Sequence, residues 1–459
     1  MSAPAARRIA EAVDAIRTGP LPPAVLGRAR DLLLDHLGVT LAGAGEESTV
    51  VLRRGLAALG TTGDATVIGT TGRLAPPHAA LANGAAAHAI EMDDTHLGGS
   101  IHLGASVFAA ALAAAELAPV GGHVLLHAAV AGYEVAARLA VALDPAAHYR
   151  RGFHPTGTCG AFGAAAAAGV VLGLDADAVT TALGIAGSQA AGSMEFLEDG
   201  AWTKRLHPGW AASAGLHAAA LARAGFRAPA SILDGRFGFL HAYSDGPNAA
   251  ALAGGVGYEL MQTGVKPHAC CRYSQGPIDA VLALRAAYAI DPMRVARIDV
   301  GIVQAGFAIV CEPLEAKRRP RSVVDAQFSL PFSVATALAG GSAWPEDFQP
   351  DRFDDPAVRH LMDRVHPARD PALDAMFPRT WPCWARITLD DGTRHERRVD
   401  HPLGDPEHFP APAVLGAKFA RLAGRALPAA GVAALSDAVT RASALDDVRT
   451  LLALTRPGI

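Results

Sequence analysis

Residues 91–102, EMDDTHLGGSIH, hold three carboxylates (Glu91, Asp93, Asp94), the Thr95 hydroxyl with Ser100 further on, and two imidazoles (His96, His102). Acceptors and imidazoles crowded beside a glycine turn suit proton transfer. If the helix predicted for the preceding apolar run continues, Glu91 and Thr95 share a face, and Asp94 lies on the same side. Gly98–Gly99 then ends that helix and leaves His102 on a loop or at a new helix start. The plainer alternative puts Asp93 and Asp94 in solvent and has His96 capping a carbonyl. Asp93, His96 and His102 are also possible ligands for a divalent ion. No HExxH, His-x-His pair or nearby cysteine supports this, so no metal is expected.

Three further stretches carry polar groups in unusual surroundings. In RGFHPTGTCG (151–160), His154 precedes Pro155 at a helix start, where unpaired N–H groups favour an anion. It is read as a carboxylate ligand or an acid, the alternative being a buried structural histidine. In AWTKRLHPGWAASAG (201–215), Lys204 precedes a small-residue helix. The chain has only four lysines (Lys204, Lys266, Lys317, Lys418), which makes a purely solubilising role the weaker explanation and a substrate carboxylate the better one. In GVKPHACCRYSQGPIDA (264–280), Lys266, His268, Cys270, Cys271, Arg272, Tyr273, Ser274 and Gln275 are dense in donors at a proposed domain junction. Adjacent cysteines cannot easily face one site, so at most one of Cys270 and Cys271 is chemical.

The elements that must position these residues are mostly helical. Up to about residue 265, runs such as GRARDLLLDHLGVTLAG and SAGLHAAALARAGF are rich in alanine and leucine, strong helix formers whose small members allow close helix contact. Beyond Lys266, VARIDVGIV and CWARITLDDGTRHERRVD alternate with period two. Asp391-Gly392 marks a hairpin turn. VDAQFSLPFSVATALAG reads as an extended segment leading into a helix. The expected fold is mainly α: a large all-α helical domain, 1–266 completed by 401–459, with a smaller inserted α+β lid domain at 267–400.

With 459 residues, 51% hydrophobic composition and a net charge of -4, the chain suits a globular protein with no nucleic-acid or membrane partner. The apolar run 104–120 is alanine-dominated and suits a core helix better than a bilayer span. Five cysteines without C-x2-C spacing, and no targeting segment at the N-terminus, point to free thiols in the cytoplasm.

Taken in order, LLLDHLGVTLAG, ANGAAAHAIEMDDTH with its following histidine, GFHPTGTCG, TKRLHPGWAA, VKPHACCRYSQGPIDA and VDAQFSLPF resemble the MmgE/PrpD family. That family includes 2-methylcitrate dehydratase, cis-aconitate decarboxylase and iminodisuccinate epimerase. The resemblance implies a homodimer and a carboxylate pocket between two domains. Its pocket positions fall on Glu91, Thr95, His102, His154, Lys204, and Lys266 with its following residues. The sequence departs from the family in three places. Glu91 stands where relatives commonly have aspartate, and one extra residue separates Thr95 from His102. Cys271 and Gln275 occupy a segment where relatives often have a histidine.

The expected chemistry is cofactor-free change at a carbon next to a carboxylate of a small di- or tricarboxylate. Lys204, Lys266 and Arg272, with Ser274 and Gln275, hold the substrate and stabilise an enediolate-like state. His102 is the base, oriented by Glu91 or Asp94, and His154 is the acid or a carboxylate ligand. A lyase, dehydrating or decarboxylating, is the first reading. An epimerase with Cys271 as a second base is the alternative, and a non-catalytic carboxylate-binding homologue is the third.

Overall fold

Glycine and alanine let the helices of the N-terminal part cross at very short range. In the computed structural model, which describes residues 3–254 and 257–458, the Pro155–Val171 helix is buried along its whole length. It packs against the Gly104–Ala115, Gly122–Ala142 and Thr203–Arg223 helices. Thr203–Arg223 also crosses Pro76–His88, and there a Cβ added to Gly209 would lie 2.2 Å from the Leu81 carbonyl oxygen. Close packing of this kind tolerates no added methyl group. Gly84, which meets Gly209 at the crossing, is one turn before His88, and Lys204 is little more than one turn before Gly209. The crossing therefore carries His88 and Lys204 towards each other.

These helices belong to a first unit made of residues up to Met194, Thr203–Thr263, and the chain from Ala411 onward. The Pro412–Ala423 helix returns to the Pro23–Gly43 helix. Gly122–Ala142 is, among the described residues, the one helix long and apolar enough to cross a membrane. Most of it is buried inside this unit, as a core helix is. A short antiparallel pair, Ala65–Thr66 with Arg73–Leu74, interrupts the otherwise helical N-terminal run expected from the sequence.

The second unit comprises Glu195–Trp202 and Gly264–Pro410. Its four strands lie in the order Val365–Arg369, Val295–Ile302, Cys383–Leu389, Arg394–Val399. The first pair is parallel and the others antiparallel. Cys383, Ala385 and Ile387 face the core in alternation, and Gly392 takes the positive φ of the hairpin turn. The Gln275–Tyr288 helix covers the Cys383–Leu389 and Arg394–Val399 strands.

The division differs from expectation at Glu195–Trp202 and 264–266, which join the second unit, and at 401–410. Residues 401–410 stay with the second unit, where the Gly404 carbonyl accepts from Val265 N at 2.9 Å and Asp405 pairs with Arg272. Val323–Gln327 is a helical turn where an extended stretch was expected. Ser322 caps it by accepting from Asp325 N, before Ser329 caps the Leu330–Gly340 helix.

Candidate active site

The Pro76–His88 helix ends at His88, so the shared helical face expected for Glu91, Asp94 and Thr95 does not form. Instead the chain turns at Glu91, whose backbone is left-handed (φ 56°), a conformation that costs energy in a non-glycine residue and needs surrounding contacts to hold it. Asp94–His96 is then a short strand. Gly98 and Gly99 lie in the tight turn between His96 and Ile101, which form an antiparallel bridge, rather than at a helix end.

This turn assembles a buried chain of ions and imidazoles. The Lys204 ammonium donates to His88 Nε2 at 2.8 Å and to the Glu91 carboxylate. An ammonium only donates, so His88 Nε2 is the acceptor and Nδ1 carries the proton that bonds Asp93 Oδ2 at 2.6 Å. His88 is thereby a neutral imidazole with a fixed tautomer. Burial pushes it below the ordinary histidine value, Lys204 adding to the effect and Asp93 opposing it.

His102 lies beside this chain, its ring centroid 4.9 Å from that of His88. Its Nδ1 is 2.7 Å from the Asp94 carbonyl oxygen and 3.2 Å from Thr95 Oγ1. A carbonyl only accepts, so Nδ1 carries hydrogen, and in the neutral tautomer the lone pair belongs to Nε2. Neither orienter expected from the sequence turns the ring with its side chain. Glu91 binds Lys204, and Asp94 acts through its backbone. The Asp94 carboxylate accepts from Leu103 N, Gly104 N and the Tyr133 hydroxyl, which ties down the start of the Gly104–Ala115 helix. Burial carries this carboxyl up to about 7, although the Tyr133 and Gly104 hydrogen bonds hold it down.

His154 stands at the start of the Pro155–Val171 helix, with its ring 6.0 Å from His88 and 6.4 Å from His102. Its Nδ1 is 3.0 Å from His207 Nδ1. Burial first, then His207, Lys204 and the other imidazoles, hold His154 well below the ordinary value. His207 is lowered to about 4 by burial, His88 and Lys204. Both rings are therefore neutral near pH 7. Thr156 fixes the backbone of His102 by accepting from its N–H at 3.1 Å. His96 faces elsewhere, binding Glu259 Oε2 at 3.0 Å.

In the second unit, Lys266 is fully buried. Arg272 is not a spare cation: it forms a buried ion pair with Asp405. Gln275 braces the backbone, accepting from His268 N at 3.1 Å and donating to the His268 and Cys270 carbonyls at 3.0 Å each. Ser274 is buried just before the Gln275–Tyr288 helix, and Cys271 is a buried thiol whose N–H binds the Gln327 carbonyl.

Three members of the first-unit cluster escaped the sequence reading: His88, Asp93 in its hydrogen-bonding role, and His207. All three lie inside the quoted motifs, but only the glycine-mediated helix crossing reveals what they face. His88, Asp93 and His102 bring donor atoms within 4.8 Å of one another, a better cation set than the expected Asp93, His96 and His102. A cation there would have to break the His88–Asp93 hydrogen bond and would face the Lys204 ammonium on the same imidazole, so the set fits a metal poorly.

The first unit is thus a helical body carrying a buried lysine–carboxylate–imidazole cluster. Residues 7–251 match the MmgE/PrpD N-terminal domain and residues 268–442 the MmgE/PrpD C-terminal domain; the chain belongs to the MmgE/PrpD family. It is 28% identical over 461 residues to cis-aconitate decarboxylase of Aspergillus terreus (strain NIH 2624), covering 96% of this chain and 93% of that one. It is likewise 28% identical over 471 residues to cis-aconitate decarboxylase-like protein oryM of Aspergillus oryzae, covering 96% and 95%. Mouse cis-aconitate decarboxylase is 28% identical over 400 residues, covering 84% of this chain and 80% of the relative.

Proposed function

We propose that the protein is a metal-independent lyase that removes carbon dioxide from a small tricarboxylate of the cis-aconitate kind. The observation that carries this reading is the buried Lys204 ammonium, held by His88 Nε2 and Glu91 beside the His102 and His154 imidazoles. The names of the relatives favour decarboxylation over dehydration.

A substrate carboxylate binds the Lys204 ammonium by a charge-assisted hydrogen bond. When the carbon–carboxylate bond breaks, its electron pair stays on the substrate carbon and spreads towards the neighbouring carboxylate. Lys204 stabilises that charge, an effect worth about 3–4 kcal/mol for one well-placed donor. His102 Nε2 is where a proton is held and given to the carbon, and His154 faces the substrate's remaining charge. Lys266 is assigned a carboxylate by the resemblance, and Lys266→Met tests it. Homodimer formation and a cytoplasmic setting belong to the same reading; five buried free thiols fit a reducing compartment, and light scattering tests the dimer.

Incubated with cis-aconitate, the protein is expected to release carbon dioxide at a rate unaffected by chelators, and Lys204→Met is expected to lose at least about 100-fold in kcat/KM. A tricarboxylate that raises the melting temperature but is never turned over would leave only a binding protein. Exchange of solvent deuterium into an otherwise unchanged dicarboxylate, lost in Cys271→Ser, would establish the epimerase instead.

A further inference from the structure

The Pro412–Ala423 helix supplies a lysine that no motif around the cluster singles out. Lys418 is 8% exposed, and its ammonium donates to the Met92 carbonyl at 2.7 Å across a separation of 326 residues. It also pairs with the Asp35 carboxylate at 2.6 Å. Asp35 is itself buried on the Pro23–Gly43 helix. Next to Lys418, Phe419 seats the helix: a Cβ at Gly38 would meet its ring at 3.2 Å. Met92 lies between Glu91, whose backbone is left-handed, and Asp93. Those two residues bind opposite ends of the Lys204–His88 pair.

We propose that Lys418 is a positioning residue for the cluster. By fixing the Met92 peptide against Asp35, it sets where the Glu91 and Asp93 carboxylates point, and so where Lys204 and His88 stand. Ammonium and carboxylate are both buried, so Met92 cannot move without taking an acceptor away from a buried charge. Beside the Asp35 partner of this ammonium, the titratable groups interacting with Asp35 or Asp93 are Asp94, Tyr133 and His36, with Lys204 beyond Glu91. Removing one positive charge from that set makes its carboxylates harder to ionise.

The activity readout rests on the proposed decarboxylation. In Lys418→Met, kcat/KM should fall at least about tenfold, with the acid limb of its pH profile moved up by about one unit. Lys418→Arg, which keeps the charge and the donors, should recover much of the loss. Phe419→Leu loosens the same helix contact without touching Met92; it should lower the melting temperature and leave the pH profile in place. If Lys418→Met does not accumulate as folded protein, Lys418→Gln carries the same comparison, since it keeps donors but no charge. A wild-type pH profile in the uncharged variant, or an equal shift in Phe419→Leu, would overturn the assignment.

If the wild type turns over no carboxylate, the decarboxylase reading fails, but NMR titration of the histidines still decides the positioning role. A His88 titration displaced by loss of the Lys418 charge and unmoved by Phe419→Leu supports it; an unmoved His88 refutes it.

Discussion

In the proposed reaction His102 serves as the base, its Nδ1 hydrogen being held by the Asp94 carbonyl, which can only accept. His102→Asn should therefore lower kcat by about 10²–10⁴-fold while a tricarboxylate still binds, which calorimetry and steady-state kinetics together would show. His154 and His207 are neutral when the site carries no substrate, but a bound polyanion favours their protonated forms. Tricarboxylate binding should accordingly take up protons near pH 7, seen as a binding enthalpy that depends on the buffer's ionisation enthalpy; no such dependence would contradict the assignment. At this scale the sequence was informative about residue types and poor about pairings. Glu91, Thr95, His102, His154 and Lys204 were visible as a polar set. That Glu91 serves Lys204 and Asp94 serves a helix start was not, because both depend on a helix ending at His88 instead of running on. No propensity signal marks that end, since the helix gives way to a left-handed glutamate and not to a glycine.

The elements matter here through their crossings. Gly209 lies against the backbone of the Pro76–His88 helix, where an added Cβ would come 2.2 Å from a carbonyl oxygen, and that contact brings Lys204 to His88. Gly209→Ala should destabilise the fold by about 1–3 kcal/mol or more in denaturant titrations and weaken substrate binding as well, because the two helices must separate. The helical character of this region and the strand pair around Asp391-Gly392 were legible from composition and period. The crossing was not: a glycine inside a helical run shows in the sequence as a weak point, and only its neighbour reveals it as a contact. The same holds for Val323–Gln327, where a serine cap decides for a helical turn in a segment whose pattern reads as extended.

The whole molecule's response to acid follows from its buried titratable groups. Burial lowers His36 to about 3 and His148 and His207 to about 4, and lowers His88 and His154 too. Each is neutral when folded and takes up a proton more readily when unfolded, so its contribution to stability is present above about pH 6.5 and is lost as pH falls towards the folded value. Asp94 and Glu134, raised to about 7 mainly by burial, act in the opposite sense, losing stability as pH rises from about 4 to 7. The histidines outnumber them, so the melting temperature should climb between pH 4 and 6.5 and then level off. A flat profile in thermal melts over that range would count against neutral buried imidazoles. The central claim is more specific, and one measurement reaches it: NMR of cis-aconitate in D2O with the wild type and His102→Asn. The account predicts loss of one carboxylate as carbon dioxide, a deuteron in the five-carbon product, and a rate at least about 100-fold lower in the variant. Intact substrate that merely gains deuterium, or an undiminished rate in His102→Asn, would contradict it.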